Sequence, residues 1–273
     1  MSLRQRVVVT SGDKDRRTEL SVLGGDYGGA FVRQLEAALL NGEIDIAVHS
    51  LKDLPTQQPD GLALAGCPLR VDPRDALCGE RLYELAAGAR VGTGAPRRRA
   101  QLLRLRPDLE IVPIRGNVPP RLAKMQSARL DSVVLAMAGL ERLELLDQVG
   151  EVLEVEQFPP SPGQGALGIQ IREDDDLARE LIATIEDEAT TAEVRAERAL
   201  LHALHGGCSV PIGAAGLIVG ATLMLHARVT SLDGTNSVAG TIEGSPSEAT
   251  KLGTRLAQRL RDDGATAILD QLR

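Results

Sequence analysis

The sequence predicts an α/β protein with mainly parallel sheets, followed by a small α+β domain. Three observations carry this. Strand and helix patterns alternate between residues 89 and 139, a Pro/Gly-rich segment interrupts the chain at 159–168, and the pattern changes after residue 206. FVRQLEAALL (31–40) spaces its apolar residues by three and four, which predicts a helix stopped by Asn41-Gly42. IDIAVHS (44–50) reads as a buried strand, KDLPTQQPDG (52–61) as a loop and LALAG (62–66) as a second strand.

The middle alternates. ARVGTG (89–94) predicts a strand, APRRRAQLLRLR (95–106) a helix and LEIVPIRG (109–116) a strand. NVPPRLAKM (117–125) predicts a helix, and DSVVLAMAG (131–139) a strand running into another helix. Such alternation implies a parallel sheet with ligands at the carboxyl ends of its strands. PPSPGQGALG (159–168) reads as a crossover and roughly 189–205 as a long helix ending at Gly206-Gly207. LMLHARVTSLDGTNSVAGTIEG then holds two strands around an Asp-Gly turn, followed by an amphipathic helix in SPSEATKLGTRLAQRLRDDG.

Composition narrows the function. The chain has 273 residues, a net charge of −7 and only four aromatics, Tyr27, Phe31, Tyr83 and Phe158. That balance argues against nucleic-acid binding, which wants basic surface and stacking rings. No apolar run approaches a membrane span, and the N-terminus has no secretory pattern, so the expected setting is the cytoplasm. Cys67, Cys78 and Cys208 have no paired spacing, and His202 and His205 read as a solvated pair, so no metal is expected.

Some residues point to chemistry. Arg97, Arg98 and Arg99 sit in the first turn of a predicted helix, where cations oppose the helix dipole. Arg115 and Arg121 flank a second strand-to-helix junction at the same sheet edge. Fixed arginines at helix N-termini suit a ligand with several carboxylates. Lys52-Asp53 follows a strand, where a carboxyl could protonate a leaving amine and then stabilise a cation; a loop salt bridge is the plainer reading. Gly206-Gly207-Cys208 puts a thiol on a glycine-flanked loop, either as a nucleophile or as an inert small residue.

Taken together, GAFVRQLEAALLNGEIDIAVHSLKDLP, DPRDAL, PRRRAQLLRLRPDLEIVPIRGNV, LAMAGLERL, PPSPGQGALGI, AERALL and GGCSVPIGA resemble the porphobilinogen deaminase (hydroxymethylbilane synthase) family, from about residue 28 to 216. The resemblance implies a transferase of porphyrin biosynthesis with two periplasmic-binding-protein-like lobes and a C-terminal α+β domain. It implies lobe 1 at 1–67 and 162–185, lobe 2 at 70–157 and the last domain at 189–273. It implies a dipyrromethane cofactor in thioether linkage to Cys208, extended by four porphobilinogen units with loss of ammonia, then released by water as hydroxymethylbilane. Asp53 matches the catalytic aspartate and Lys52 the lysine beside it. Arg97, Arg98, Arg115, Arg121 and Arg142 match arginines that hold acetate and propionate groups. Arg172, Phe31 and Arg33 are further substrate-binding candidates, and a monomer is expected.

Departures from the family pattern are visible. Gly94 and Ala95 stand where the family has two serines, Gly28 where it has a lysine, and Arg33 replaces another lysine. The chain begins near the family's second strand, so the first strand, its helix and one cofactor-binding arginine are expected to be missing. The rival expectation is an inactive relative that binds polycarboxylate tetrapyrroles without turnover.

Overall fold

The computed structural model describes residues 4–7, 32–204 and 210–272. The first helix, α1 (Arg33–Leu40), buries Ala38 and Leu39 and ends at Asn41. Gly42 then takes φ +69°, the left-handed conformation that glycine adopts without strain. Strands β1 (Ile46–Ser50) and β2 (Leu62–Gly66) flank β8 (Leu167–Arg172) in a three-stranded sheet.

The second sheet has five strands: β3 (Asp75–Gly79), β4 (Arg90–Gly92), β5 (Glu110–Val112), β6 (Ser132–Ala136) and β7 (Val149–Leu153), in the order β5-β4-β6-β3-β7. Helices α2 (Pro96–Leu105), α3 (Val118–Ser127) and α4 (Met137–Arg142) connect them. One apolar cluster, centred on Leu77, Val91, Leu102 and Phe158, covers one face. Another, centred on Val133, Leu135 and Leu140, covers the other. The parallel pairings are β4 with β5 and with β6.

The five-stranded sheet is therefore mixed, and the described strands of the first sheet pair antiparallel, where the sequence predicted mainly parallel sheets. β3 runs antiparallel to both β6 and β7, and β8 antiparallel to both β1 and β2. The registers explain this. Ser50 pairs with Leu167 and Ala136 with Asp75, so β1 and β6 end where β8 and β3 begin. Each sheet receives one strand from the other, and that strand must enter at the junction and run away from it. The carboxyl ends of β1, β2, β4, β5, β6 and β7 consequently converge on that junction, where ligands bind in such sheets.

Helices α5 (Asp176–Ala183) and α6 (Glu188–Ala203) follow; the Asp187 side chain caps α6 by accepting from Thr190 N at 2.7 Å. Strands β9 (Ile212–Val219), β10 (Thr222–Thr230) and β11 (Ser237–Gly244) form an antiparallel meander. Helix α7 (Ala249–Leu260) packs its Leu252, Leu256 and Leu260 face on this sheet, beside α6. The expected Asp-Gly turn is present: Ser231 N donates to Asn236 O at 2.8 Å, and Gly234 has φ +77°. A short helix α8 (Thr266–Asp270) closes the chain. Strands β3 and β8 were not legible as strands in the sequence, because short buried runs show no alternation, and β7 and β9 were not read as strands either.

Candidate active site

Chain direction places the chemistry. β1 ends at Ser50, and Leu51–Asp53 form one 3-10 turn, pinned by the fully buried Leu51. Leu51 N donates to Ala166 O at 3.1 Å, which ties this turn to the start of β8. Gly163, at φ +76°, lets the 161–166 segment close on it, because a Cβ there would lie 3.2 Å from Lys52 N. Arg198 of α6 grips the far side, donating to Leu54 O at 2.9 Å and Pro55 O at 2.6 Å.

The turn presents Lys52 and Asp53 at the junction. Lys52 Nζ donates to Gln164 Oε1 at 3.3 Å. Burial pulls the Lys52 ammonium below its usual range, against the attraction of Asp53. By surface area Asp53 is exposed, yet the surrounding walls displace enough water that burial is the largest influence on its carboxyl and pushes it up. Lys52, Arg121 and His49 oppose that rise. Beneath it, buried His49 shares a hydrogen bond of 3.0 Å with Gln170 Oε1, while Gln170 Nε2 donates to Gln58 Oε1 at 2.8 Å. Burial holds the His49 imidazole below its usual value.

Arg97 and Arg98 lie deeper than Arg115 and Arg121. They were expected to turn toward a ligand, but they are only 5% and 4% exposed and grip the buried Asp75. Arg97 Nη2 donates to Asp75 Oδ2 at 2.8 Å, and Arg98 Nη2 to Asp75 Oδ1 at 2.7 Å. Their other bonds reach Pro159 O and Val134 O, at 2.9 Å each. The physical reason is charge: two arginines in the first turn of α2 need an anion, and the first residue of β3 supplies it. Burial alone would raise the Asp75 carboxyl, but Arg97 and Arg98 overcome it and hold the group far below the carboxylate range. Gln164 completes the knot, donating through Nε2 to Asp75 Oδ1 at 2.8 Å.

Arg115 and Arg121 differ. Both are half-buried, and the Arg115 Nη1 is shielded from solvent without a hydrogen-bond partner among the described residues. Arg121 Nε donates to Gly116 O at 2.6 Å. Burial, then the positive charges of Arg98 and Arg115, lower the Arg121 guanidinium to about 10, while Asp53 pulls the other way. Such a pocket of cations draws anions. Arg142, exposed at the end of α4, donates to Gly165 O at 3.0 Å.

Arg172 lies apart from these arginines. It ends β8, at the opposite end of the strand from Leu167, which pairs with Ser50. Arg172 donates to Asp45 at 2.9 Å, Asp175 at 2.8 Å and Ile44 O at 2.8 Å, so it clips the outer ends of β1 and β8 together. Arg33 is exposed in the first turn of α1. Phe31, Gly28 and Cys208 lie outside the described residues. Among the described residues no group of His, Cys, Asp and Glu could hold a metal ion.

Sequence reasoning passed over Asp75, Gln164, Arg70 and Glu197. The first two stand in DPRDAL and PPSPGQGALG, and an acid near an arginine run was the available signal for Asp75. Gln164 carried no signal, because a loop glutamine is uninformative until its partners are known.

The profile "Porphobilinogen deaminase, dipyromethane cofactor binding domain" matches residues 1–180, and "Porphobilinogen deaminase, C-terminal domain" matches 191–262. A porphobilinogen deaminase of Geobacter metallireducens is 50% identical over 267 residues, covering 97% of this chain and 83% of the relative. That of Trichlorobacter lovleyi is 48% identical, over 97% and 85%. Among solved structures, an ABC transporter from Parabacteroides distasonis superposes at TM-score 0.38 with 16% identity, over 64% of this chain and 61% of that one. With both profiles in order and identities at this level over nearly all its length, the chain belongs to the porphobilinogen deaminase family.

Proposed function

We propose that this chain is a hydroxymethylbilane synthase of tetrapyrrole biosynthesis, with Asp53 as its proton donor and Cys208 as its cofactor anchor. It condenses four porphobilinogen units head to tail with loss of ammonia and releases the linear tetrapyrrole by hydrolysis. The observation that carries the reading is the Lys52–Asp53 turn set opposite Arg115 and Arg121.

The residues fit a carboxylate-rich cofactor. Among the described residues Arg115 Nη1 has no acceptor, and the Arg121 cation is disfavoured by burial and its positive neighbours. A ligand carboxylate relieves both. When bound, the dipyrromethane supplies the pyrrole carbon that is extended. Arg115, Arg121 and Arg142 hold carboxylates of cofactor and substrate, while Arg97 and Arg98, locked on Asp75, fix the helix that faces them.

Asp53 does the proton work. Its raised carboxyl keeps a proton at higher pH than an ordinary aspartate, ready for the leaving amine of porphobilinogen. Once ionised, the same oxygens face the positive charge that develops on the substrate methylene carbon. Lys52, held by Gln164, keeps the turn in place and adds a cation for substrate carboxylates. This reading divides the chain into lobes at 1–67 with 162–185 and at 70–157, with a third domain from 189, and places a monomer in the cytoplasm. Among the described residues no helix is long and apolar enough to cross a membrane.

The test is intact mass. Protein made in a host that produces porphobilinogen should exceed its sequence mass by one dipyrromethane, and Cys208→Ala should not. An unmodified parent that also fails to consume porphobilinogen would leave only the non-enzymatic reading.

A further inference from the structure

Beside the loop that follows the Lys52–Asp53 turn, a cavity of about 330 Å³ lies between β2 and α6, lined by Thr56 of that loop. Its walls divide by chemistry. Leu64 and Val194 are part of an apolar floor, and Arg195, Arg198 and His202, at positions i, i+3 and i+7 of α6, line the side with Glu186 opposing them. Glu186 is held by the Thr191 hydroxyl, which donates to it at 2.9 Å. Two arginines against one glutamate leave about one positive charge when His202 is neutral. The cavity thus suits one carboxylate on an apolar body better than a phosphate.

The cavity is mechanically tied to the catalytic turn. Arg198, one of its walls, donates to Leu54 O and Pro55 O, and Leu54 directly follows Asp53. His202 reaches Thr56 Oγ1 of the same loop at 3.5 Å. A carboxylate entering the cavity would compete with those two carbonyls for the Arg198 guanidinium and so loosen the loop's grip.

We propose that this cavity is a second ligand site, for a small monocarboxylic acid with an apolar body, and that its occupancy alters turnover through the Leu54–Pro55 carbonyls. The turnover arm rests on the reading of Asp53 as the proton donor; the binding arm does not. Arg195 is exposed and outside the catalytic machinery, so it is the residue to change.

Benzoate is the probe, added to purified holoenzyme, with binding read by calorimetry and porphobilinogen consumption read in parallel. Parent protein should bind benzoate, Arg195→Glu should weaken binding by about tenfold or more, and Arg195→Lys should keep most of it. Benzoate should change the turnover of the parent and not of Arg195→Glu, whose turnover without benzoate should match the parent. No binding to the parent, equal binding to Arg195→Glu, or equal binding of inorganic phosphate would overturn the site. Binding lost in Arg195→Glu but with no effect on parental turnover would overturn the coupling. If no variant consumes porphobilinogen, the functional reading fails and the binding comparison still decides the site.

Discussion

Arg70 and Glu197 form a bidentate ion pair, Nη1 to Oε1 at 2.7 Å and Nη2 to Oε2 at 3.1 Å, with both side chains almost closed to solvent. Arg70 stands in the segment that leaves the first sheet for the second, and Glu197 in the middle of α6. The same carboxylate accepts from Gly163 N at 2.6 Å and Gly216 N at 2.7 Å, while Arg70 Nε donates to Gln164 O at 2.8 Å. Both crossings and the third sheet therefore meet at one pair of side chains. The pair thus ties the two sheets joined by these crossings to the third.

That arrangement predicts strong coupling. Removing one partner leaves a buried charge without its bidentate mate, at a cost of up to about 3–5 kcal/mol, which Glu193 at 3.6 Å from Arg70 Nη1 offsets in part when Glu197 is the residue changed. Arg70→Met and Glu197→Gln should each lose stability of that order in denaturant unfolding. The double variant should lose clearly less than the sum, because the second change removes the charge the first one stranded. Additive losses would mean that the two side chains act separately.

Asp75 carries the same logic into the cleft, with two arginines depending on one carboxylate. Asp75→Asn should destabilise by about 3–5 kcal/mol, since Arg97 and Arg98 stay buried and cationic. The sign with pH follows from the depressed carboxyl. Its stabilisation is complete above the unfolded value of about 4 and is lost as pH falls below it toward the folded value. Parent stability should therefore drop across that acid range, and Asp75→Asn should show a flatter profile there. Equal slopes would show that Asp75 is not the group responsible.

Much of this site was legible because its residues follow strands. IDIAVHS, ARVGTG and DSVVLAMAG announce their ends with polar or glycine residues, and those ends converge at the junction. What sequence could not give was pairing. Arg97, Arg98, Arg115 and Arg121 look alike as letters, and only packing reveals that the first pair is neutralised by a strand residue about twenty positions earlier. The position of Arg172 was hidden for a related reason: a six-residue strand carries its two ends about 17 Å apart, so a motif can reach the junction at Leu167 and leave it by Arg172. The strands β3 and β8 were missed because both are buried on two faces and short.

Asp53 should separate chemistry from folding. Asp53→Asn keeps the shape and removes the proton, so porphobilinogen consumption should fall by about 10²–10⁴-fold. The parent's turnover should decline as pH rises through the raised Asp53 value, a limb missing from the residual activity of Asp53→Asn. Stability should move the other way. A carboxyl raised on folding is destabilising once ionised, so above the ordinary aspartate range Asp53→Asn should be at least as stable as the parent. A variant with parental turnover would reduce Asp53 to a loop partner of Lys52.

The thiols should be distinguishable without any assay of turnover. Burial raises Cys67 and Cys78 to about 11 each, so at neutral pH neither offers much thiolate. Cys67→Ala and Cys78→Ala should both retain the dipyrromethane mass, and Cys208→Ala should lose it. Loss of the added mass in Cys67→Ala or Cys78→Ala, with folding intact, would move the anchor away from Cys208.

The arginines divide into two classes that substitution should resolve. Arg98 spends its Nε, Nη1 and Nη2 on Asp75 and Val134, so Arg98→Lys should appear first as lost thermal stability. Among the described residues no carboxylate bonds Arg115 or Arg121, and the Arg115 Nη1 has no acceptor. Arg115→Lys should leave the melting temperature within a few degrees of the parent while weakening cofactor retention or substrate KM by about tenfold, the worth of one charge-assisted bond. Arg121→Lys should behave similarly, with a further shift in the pH profile, because the Arg121 cation opposes the rise of Asp53. The measurements are a melting curve, the fraction of protein carrying the added mass, and kcat and KM across pH. If Arg115→Lys and Arg121→Lys melt far below the parent yet assemble and turn over normally, these two residues belong with Arg97 and Arg98 in the scaffold, and the carboxylates must be held elsewhere.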